Sequence, residues 1–358
     1  MCQAKCSKPT SRPINPIAER KMTSIKDVAL HANVSVKTVS RILSGNENVS
    51  EKTRKRVAEA MQALEYYPSA AAQALRGQET GIVCLITERL TTTPDSFDII
   101  AGIQHECEQQ GKLLMIGESG GKASSFEKLV NDFRRQRAQA IIFATVYHRE
   151  VTIEQSFNKC PLILVNCFEK QLRHPTIIPD DESGAYEATL NLLKAGHTRI
   201  AFLTLFEDMP AAILRLRGYK RAHMKMGIEV QPELIHEGVC RDPEDEFATI
   251  PEILRDTMSR SERPSAIMCG NDKMAMRVYM LIRRMGYKIP ETISIVGYDN
   301  YRMIAENLVP KLTTVSLPYF QMGQKAAQLA LTEDAPLQTY LIGGEQVIRG
   351  SVAPPGAG

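Results

Sequence analysis

The sequence predicts an α/β protein in which a helix-turn-helix head and a short alanine-rich helix precede two doubly wound parallel-sheet lobes. Three observations carry that expectation. Residues 1–77 hold 13 Lys/Arg against 6 Asp/Glu, a balance of +7, while residues 78–358 balance at −4. Three short amphipathic helical patterns crowd into residues 24–64. From Gly81 onward, apolar runs of strand length alternate with amphipathic helical stretches, the pattern of parallel strands covered on both faces. With 358 residues, 43% hydrophobic and 24% charged, the chain has the composition of a globular protein large enough for two or three domains. No apolar run approaches the roughly 18 residues that cross a bilayer. The N-terminal tail also lacks the apolar core of a secretory signal, so no membrane partner is expected and the cytoplasm is the expected compartment.

Residues 1–21 contain three prolines, five basic residues and no periodicity, which predicts a disordered tail, with Met22 an alternative start to Met1. Ser24 then caps a first helix, with Ile25, Val28, Ala29 and Ala32 along one face. Asn33-Val34-Ser35 interrupts it. Ser35 caps a second helix whose apolar face is Val39, Ile42 and Leu43, and Ser44-Gly45-Asn46 stops it. Ser50 caps a third, with Val57, Ala60, Met61 and Leu64 inward, ending before Tyr66-Tyr67-Pro68. Three short helices with a tight break between the first two predict a helix-turn-helix domain over 22–68. Ser69 to Gly77 is alanine-rich and favours a helix over 69–78, but at this length the helix is marginal alone and needs something to pack on it.

In the body, strands are expected at 82–86, 113–116, 140–144, 162–165, 200–205, 266–269 and 293–296, with helices at 98–110, 124–137, 182–195, 211–226, 251–259 and 272–285. A body of this size exceeds one comfortable core, which predicts two lobes and a cleft. The eight cysteines form no C-x2-C pair. Cys84 and Cys269 fall in buried strands as small hydrophobes, and Cys2 and Cys6 have no His or Cys partner nearby, so neither a structural metal nor a cofactor is expected.

The second helix has the size of a major-groove reader. With Val39 and Ile42 turned inward, Val36, Lys37 and Arg41 are left to face bases, and Ser35, Thr38 and Ser40 to reach phosphates. The fork of Arg41 suits guanine O6 and N7, a contact that discriminates by roughly 1–3 kcal/mol. A basic head on a mildly acidic body fits double-stranded DNA as one partner.

Ile25-Lys26-Asp27-Val28-Ala29, Val34-Ser35, Thr38-Val39-Ser40-Arg41, Val49-Ser50-x-Lys52-Thr53-Arg54-x-x-Val57 and Leu64-x-Tyr66-x-Pro68 together resemble the head of the lactose/galactose repressor family. Arg215-Leu216-Arg217-Gly218-Tyr219, Gly270-Asn271-Asp272-x-Met274-Ala275, Val296-Gly297-Tyr298-Asp299-Asn300, Leu312-Thr313-Thr314-Val315 and Arg349-Gly350-Ser351-x-Ala353-Pro354-Pro355 are similar to its body signatures, so the resemblance spans residues 22 to about 355. It implies a transcriptional repressor with a periplasmic-binding-protein-like effector and dimerisation domain over 79–355. The implied lobes are about 79–180 plus 316–343, and 181–315 plus 344–355. It implies that the helix over 69–78 is a hinge that places Leu75, with Ala72 one turn earlier, in the minor groove of a pseudo-palindromic operator. It also implies that Asn166, Arg215, Asn271 and Asp299 bind a small effector, with Phe97 near the mouth of the cleft. Those side chains suit a sugar: Asp299 accepts from hydroxyls, Arg215 and the asparagines donate, and an aromatic stacks on the apolar face.

The sequence departs from the family in having no Trp and in carrying Thr91-Thr92-Thr93-Pro94-Asp95-Ser96-Phe97 where relatives often have an Asn-Pro-Phe-like run. It ends soon after Pro355, without room for a tetramerising helix, so a homodimer is expected. Gly117-Glu118-Ser119-Gly120-Gly121 matches the G-x-S-x-G pattern of a hydrolase elbow, but no histidine is well placed to serve it: His197 is expected in a cap or surface role and His223 lies within a helix. The same stretch lacks the Gly and Ser/Thr of a phosphate loop. No enzymatic activity is therefore expected. The rival reading is a sugar-binding protein or small-molecule enzyme using the same cleft.

Overall fold

The computed structural model describes residues 23–44, 48–67, 80–90, 95–157, 160–242 and 244–356. The expected tail over 1–21 and hinge helix over 69–78, with Ala72 and Leu75, lie outside the described residues. The chain divides into two compact units, residues 1–80 and 81–358.

The first unit contains α1 (Ile25–His31), α2 (Val36–Leu43) and α3 (Glu51–Ala63). A capping box starts α1: the Ser24 hydroxyl accepts from the Asp27 N–H, and the Asp27 carboxylate accepts from the Ser24 N–H. Asn33 turns the chain between α1 and α2 with φ 51°, a left-handed conformation its short polar side chain tolerates. Val28, Ala29, Ala32, Val39, Val57 and Ala60 form the core, flanked by Ile25, Ile42, Leu43, Met61 and Leu64. Ser50 is a correction: it precedes α3 but makes no side-chain bond to the helix backbone, and its hydroxyl lies 2.9 Å from that of Thr53 instead.

The second unit is built on two six-stranded sheets. One orders its strands β11-β5-β4-β3-β1-β2, from β1 (Ile82–Thr87), β2 (Leu113–Glu118), β3 (Ala140–Glu150), β4 (Leu162–Phe168), β5 (Thr176–Pro179) and β11 (Thr339–Ile342). Against it lie α4 (Asp95–Gln109), α5 (Ala123–Arg135) and α11 (Tyr319–Ala330). The other orders β12-β10-β9-β8-β6-β7, from β6 (Ile200–Thr204), β7 (Ile235–Glu237), β8 (Ala266–Cys269), β9 (Ser294–Asp299), β10 (Thr313–Ser316) and β12 (Gln346–Val347). Its helices are α6 (Asp181–Lys194), α7 (Pro210–Met226), α8 (Ile250–Ser259), α9 (Asp272–Arg284) and α10 (Arg302–Ala305). The chain passes between sheets after β5, after β10 and after β11.

Each sheet buries both faces, which is why its central strands read as unbroken apolar runs. Along β1, Val83 and Leu85 enter one core while Ile82, Cys84 and Ile86 enter the other. Burial pushes the Cys84 thiol up to about 12, the behaviour of a packing residue rather than a nucleophile. All pairings are parallel except β12 on β10, an antiparallel edge that the all-parallel expectation did not contain.

Candidate functional site

In the head, α2 sorts its side chains as the helical period requires. Val39 is 0% exposed, while Val36, Lys37 and Arg41 all face solvent. Ser35 caps the helix, accepting from the Thr38 N–H at 3.1 Å, and the two hydroxyls lie 2.8 Å apart. That contact holds both oxygens at the positive end of the helix dipole, where a phosphate is favoured. Ser40 is half-buried.

The body holds a cavity of about 290 Å3 between the C-terminal ends of the strands of the two sheets. One sheet supplies Tyr147 and His148 from β3 and Asn166 from β4; the other side supplies Asp181, Arg215, Asn271 and Asp299. In parallel α/β layers the strand ends and helix starts leave such a crevice because backbone groups and loops converge there without side-chain filling.

Two glycines of the family-like motifs explain how Arg215 and Asp299 are positioned. At Gly218 a Cβ would sit 2.2 Å from the Glu182 carbonyl, so only glycine lets α7 lie this close to α6. That approach brings Arg215 Nε to 2.8 Å from Asp181 Oδ1, and the guanidinium also donates to the Gly270 carbonyl at 2.5 Å and lies 3.7 Å over the Tyr298 ring. At Gly297 a Cβ would meet Asp272 Oδ1 at 2.0 Å. Asp272 accepts from the Thr314 hydroxyl at 2.7 Å and the Tyr301 N–H at 2.8 Å, tying the start of α9 to the loop that follows Asp299. Burial pushes Asp272 up to about 7 against those bonds.

Asp181, Arg215 and Asp299 face one another in the cavity, which Glu246 and Lys273 also line. Burial works to raise the Asp181 pKa, but the Arg215 charge and the His148 and Arg215 hydrogen bonds outweigh it and hold the carboxyl below the usual carboxylate range. Asp299, at φ 112°, lies 3.9 Å from Arg215 Nη1. Asn271 caps α9, accepting from the Met274 N–H at 2.8 Å. Asn166, at φ 57°, donates through Nδ2 to the carbonyls of Thr145 and Val146, both at 3.1 Å.

The fold thus gathers Asn166, Arg215, Asn271 and Asp299 on one cavity wall system, although β4, α7, α9 and β9 are far apart in sequence. Phe97 is not gathered: it lies on α4, 57% exposed, outside the residues that line the cavity, whose aromatic members are Tyr147, Phe206, Tyr301 and Tyr319. Sequence reasoning passed over Asp181 and His148. Asp181 had a signal, the acidic run Asp180-Asp181-Glu182 at a helix start; His148 had none.

The elbow-like motif carries no chemistry of that kind. Ser119 is buried, and its hydroxyl donates to the Thr87 carbonyl at 3.2 Å and accepts from the Gly121 N–H at 3.3 Å. His197 corrects the expectation of a cap or surface role. It is 1% exposed, held between the Ser265 hydroxyl and the Ala353 carbonyl, both at 2.9 Å, and burial lowers its pKa.

Residues 24–69 match the model of bacterial regulatory proteins of the lacI family, and residues 189–352 match the periplasmic binding protein-like domain. The HTH-type transcriptional repressor PurR of Aliivibrio fischeri (strain MJ11) is 30% identical over 337 residues, spanning 92% of this chain and 98% of that protein. The HTH-type transcriptional repressor CytR of Escherichia coli (strain K12) is 30% identical, spanning 92% and 96%. The crystal structure of the lac repressor dimer bound to operator and the anti-inducer ONPF superposes with a TM-score of 0.76 at 25% identity, covering 93% of this chain and 100% of that one. Among the described residues no helix is long and apolar enough to cross a membrane. With both matches falling on the units just described, and relatives aligned along nearly the whole chain, the protein belongs to the lacI family of bacterial regulatory proteins.

Proposed function

We propose that this protein is a homodimeric transcriptional repressor whose operator affinity is set by a small polyhydroxyl effector bound between the two sheets. The observation that carries the reading is the surface of α2, where Val36, Lys37 and Arg41 stand exposed on a helix locked from behind by Val39. Two such heads on a two-fold dimer read two half-sites of a pseudo-palindromic operator. A selection of duplexes from a random pool by the purified chain should return paired, inverted half-sites; recovery without symmetry or without consensus overturns the reading. In the same selection Arg41→Ala should erase the preference at one position per half-site, a loss of roughly 1–3 kcal/mol of discrimination. An unchanged preference there would reassign Arg41 to phosphate contact.

We assign the dimer interface to exposed apolar side chains on and beside α9 and α10. Met276 and Met280 lie one turn apart on α9, Met303 lies on α10, and Val309 follows in the segment that Arg283 ties to α9 by donating to the Val309 carbonyl at 3.0 Å. Apolar surface of this kind is buried by association. Met280→Glu should convert the dimer to monomer in sedimentation and weaken operator binding at least tenfold, since each head then binds alone. A dimer that survives the substitution moves the interface elsewhere.

The cleft is read as a binding site rather than a catalytic one. Its buried carboxylate, Asp181, is held ionised against Arg215, and the carboxyl nearest neutrality, Asp272, is engaged by Thr314 and Tyr301 outside the cavity wall. An operator-binding protein of this kind works in the cytoplasm. We read the coupling to DNA as running through residues 69–78: a ligand that changes lobe separation moves the two hinge starts near Thr80 and alters whether the hinge helices form against each other and the minor groove. Titrating ligand into the operator complex gives the sign, release or tightening.

A further inference from the structure

Two buried polar atoms on the cavity wall have no hydrogen-bond partner among the described residues: Nε2 of His148 and Oδ1 of Asn166. Their chemical character follows from what holds the other end of each side chain. His148 Nδ1 lies 3.4 Å from Asp181 Oδ2, and Asp181 is ionised, so it can only accept. In the neutral form of the ring the proton then sits on Nδ1, facing that carboxylate, which leaves Nε2 a bare lone pair. Asn166 Nδ2 donates to the carbonyls of Thr145 and Val146, which sets the amide orientation and leaves Oδ1 as the unpaired end. Both atoms are acceptors. The Asp299 carboxylate adds acceptor oxygens to the same cavity, while two of the guanidinium nitrogens of Arg215 already donate to Asp181 and Gly270.

We propose that His148 is a specificity-determining residue which, with Asn166, selects a neutral effector rich in hydroxyl or amino hydrogens and rejects anionic ones. A buried acceptor without a donor is costly, so a ligand hydrogen that reaches it gains more than one exchanged with water. A phosphate or carboxylate placed against the same wall would set oxygen lone pairs against bare acceptors. β3 makes this wall: its pairing with β4 shifts register between Ala144 and Arg149, and the irregularity carries Tyr147 and His148 to the cavity. The inference rests on the reading of the cleft as an effector site, and it goes further by naming the ligand class and the side chain that chooses it.

The first test needs no ligand. Nitrogen-15 spectra of the histidine-labelled full chain at neutral pH, with His148 assigned by His148→Gln, should show protonated Nδ1 and unprotonated Nε2. The opposite tautomer, or an imidazolium, overturns the proposal. The second is calorimetry of the full chain with sucrose, cellobiose, cytidine and ribose, each beside a phosphorylated counterpart. Neutral members should bind, and His148→Phe should weaken them about tenfold, with His148→Gln, which keeps an acceptor, recovering most of the loss. Preferential binding of the phosphorylated members, or equal affinity of the Phe and Gln variants, overturns the inference and leaves the effector reading standing. Silence across the whole panel counts against that effector reading, with the tautomer then deciding the acceptor assignment alone.

Discussion

Asp181→Ala should destabilise the two-lobed unit by about 3–5 kcal/mol, because it strands a buried guanidinium. Arg215 is 4% exposed, and its Nε–H donates to Asp181 at 2.8 Å. Removing the carboxylate leaves the guanidinium with the Gly270 carbonyl, the Tyr298 ring and the more distant Asp299, 3.9 Å from Nη1, as its remaining partners. The loss should appear as a lower urea midpoint at unchanged slope. Replacing both partners by apolar residues of similar volume, Asp181→Leu with Arg215→Met, should recover much of it, since the pair offsets its own desolvation more than it adds net stability. The contribution also has a pH window. Asp181 has a folded pKa below its ordinary value, so its stabilisation is present above the usual carboxylate range and is lost as pH falls through the lowered pKa. The gap between wild type and Asp181→Ala should therefore close in acid. A cost under about 1 kcal/mol at pH 7 would mean that Arg215 is solvated after all.

Asp299→Ala should abolish the response of the operator complex to effector. The coupling at stake is about 1–3 kcal/mol, a 5- to 150-fold change in operator affinity. Asp299 ends β9 on the cavity wall, and the clamp of Asp272 on Thr314 and the Tyr301 N–H holds the turn around it. Its removal deletes the carboxylate that accepts from the ligand. The left-handed backbone at φ 112° is no better suited to alanine than to aspartate, so relief of strain does not enter the comparison. Operator affinity measured across an effector titration, with thermal melting as a check on folding, decides it. A full response in a folded variant removes Asp299 from the pocket.

Local rules reached far into this molecule. Ser24, Asn33 and Ser35 announced the starts and break of the head helices because caps and turns depend on neighbours in sequence. The central strands were legible because burial on both faces leaves only apolar residues. The short strands β5, β7, β10, β11 and β12 were not, since each has only two to four residues and contains a polar residue or proline, whereas β8, equally short, is an unbroken apolar run; nor was α11, whose buried face mixes Tyr319, Met322 and Leu329 with small residues such as Ala326, Ala327 and Ala330.

The sequence by itself determined the division into a basic head and an α/β body, the inward and outward faces of α2, and the residue types offered to the cleft. Only the tertiary structure decided which of them meet. Arg215 finds Asp181 because Gly218 lets two helices touch, Phe97 stays out on α4, and His148 arrives through an irregularity in β3 that no local pattern marks. The reason is that a side chain's partner across the cleft lies tens of residues away in sequence. Its protonation, its tautomer and its free lone pairs are set by that partner and by exclusion of water, neither of which a short window of sequence contains.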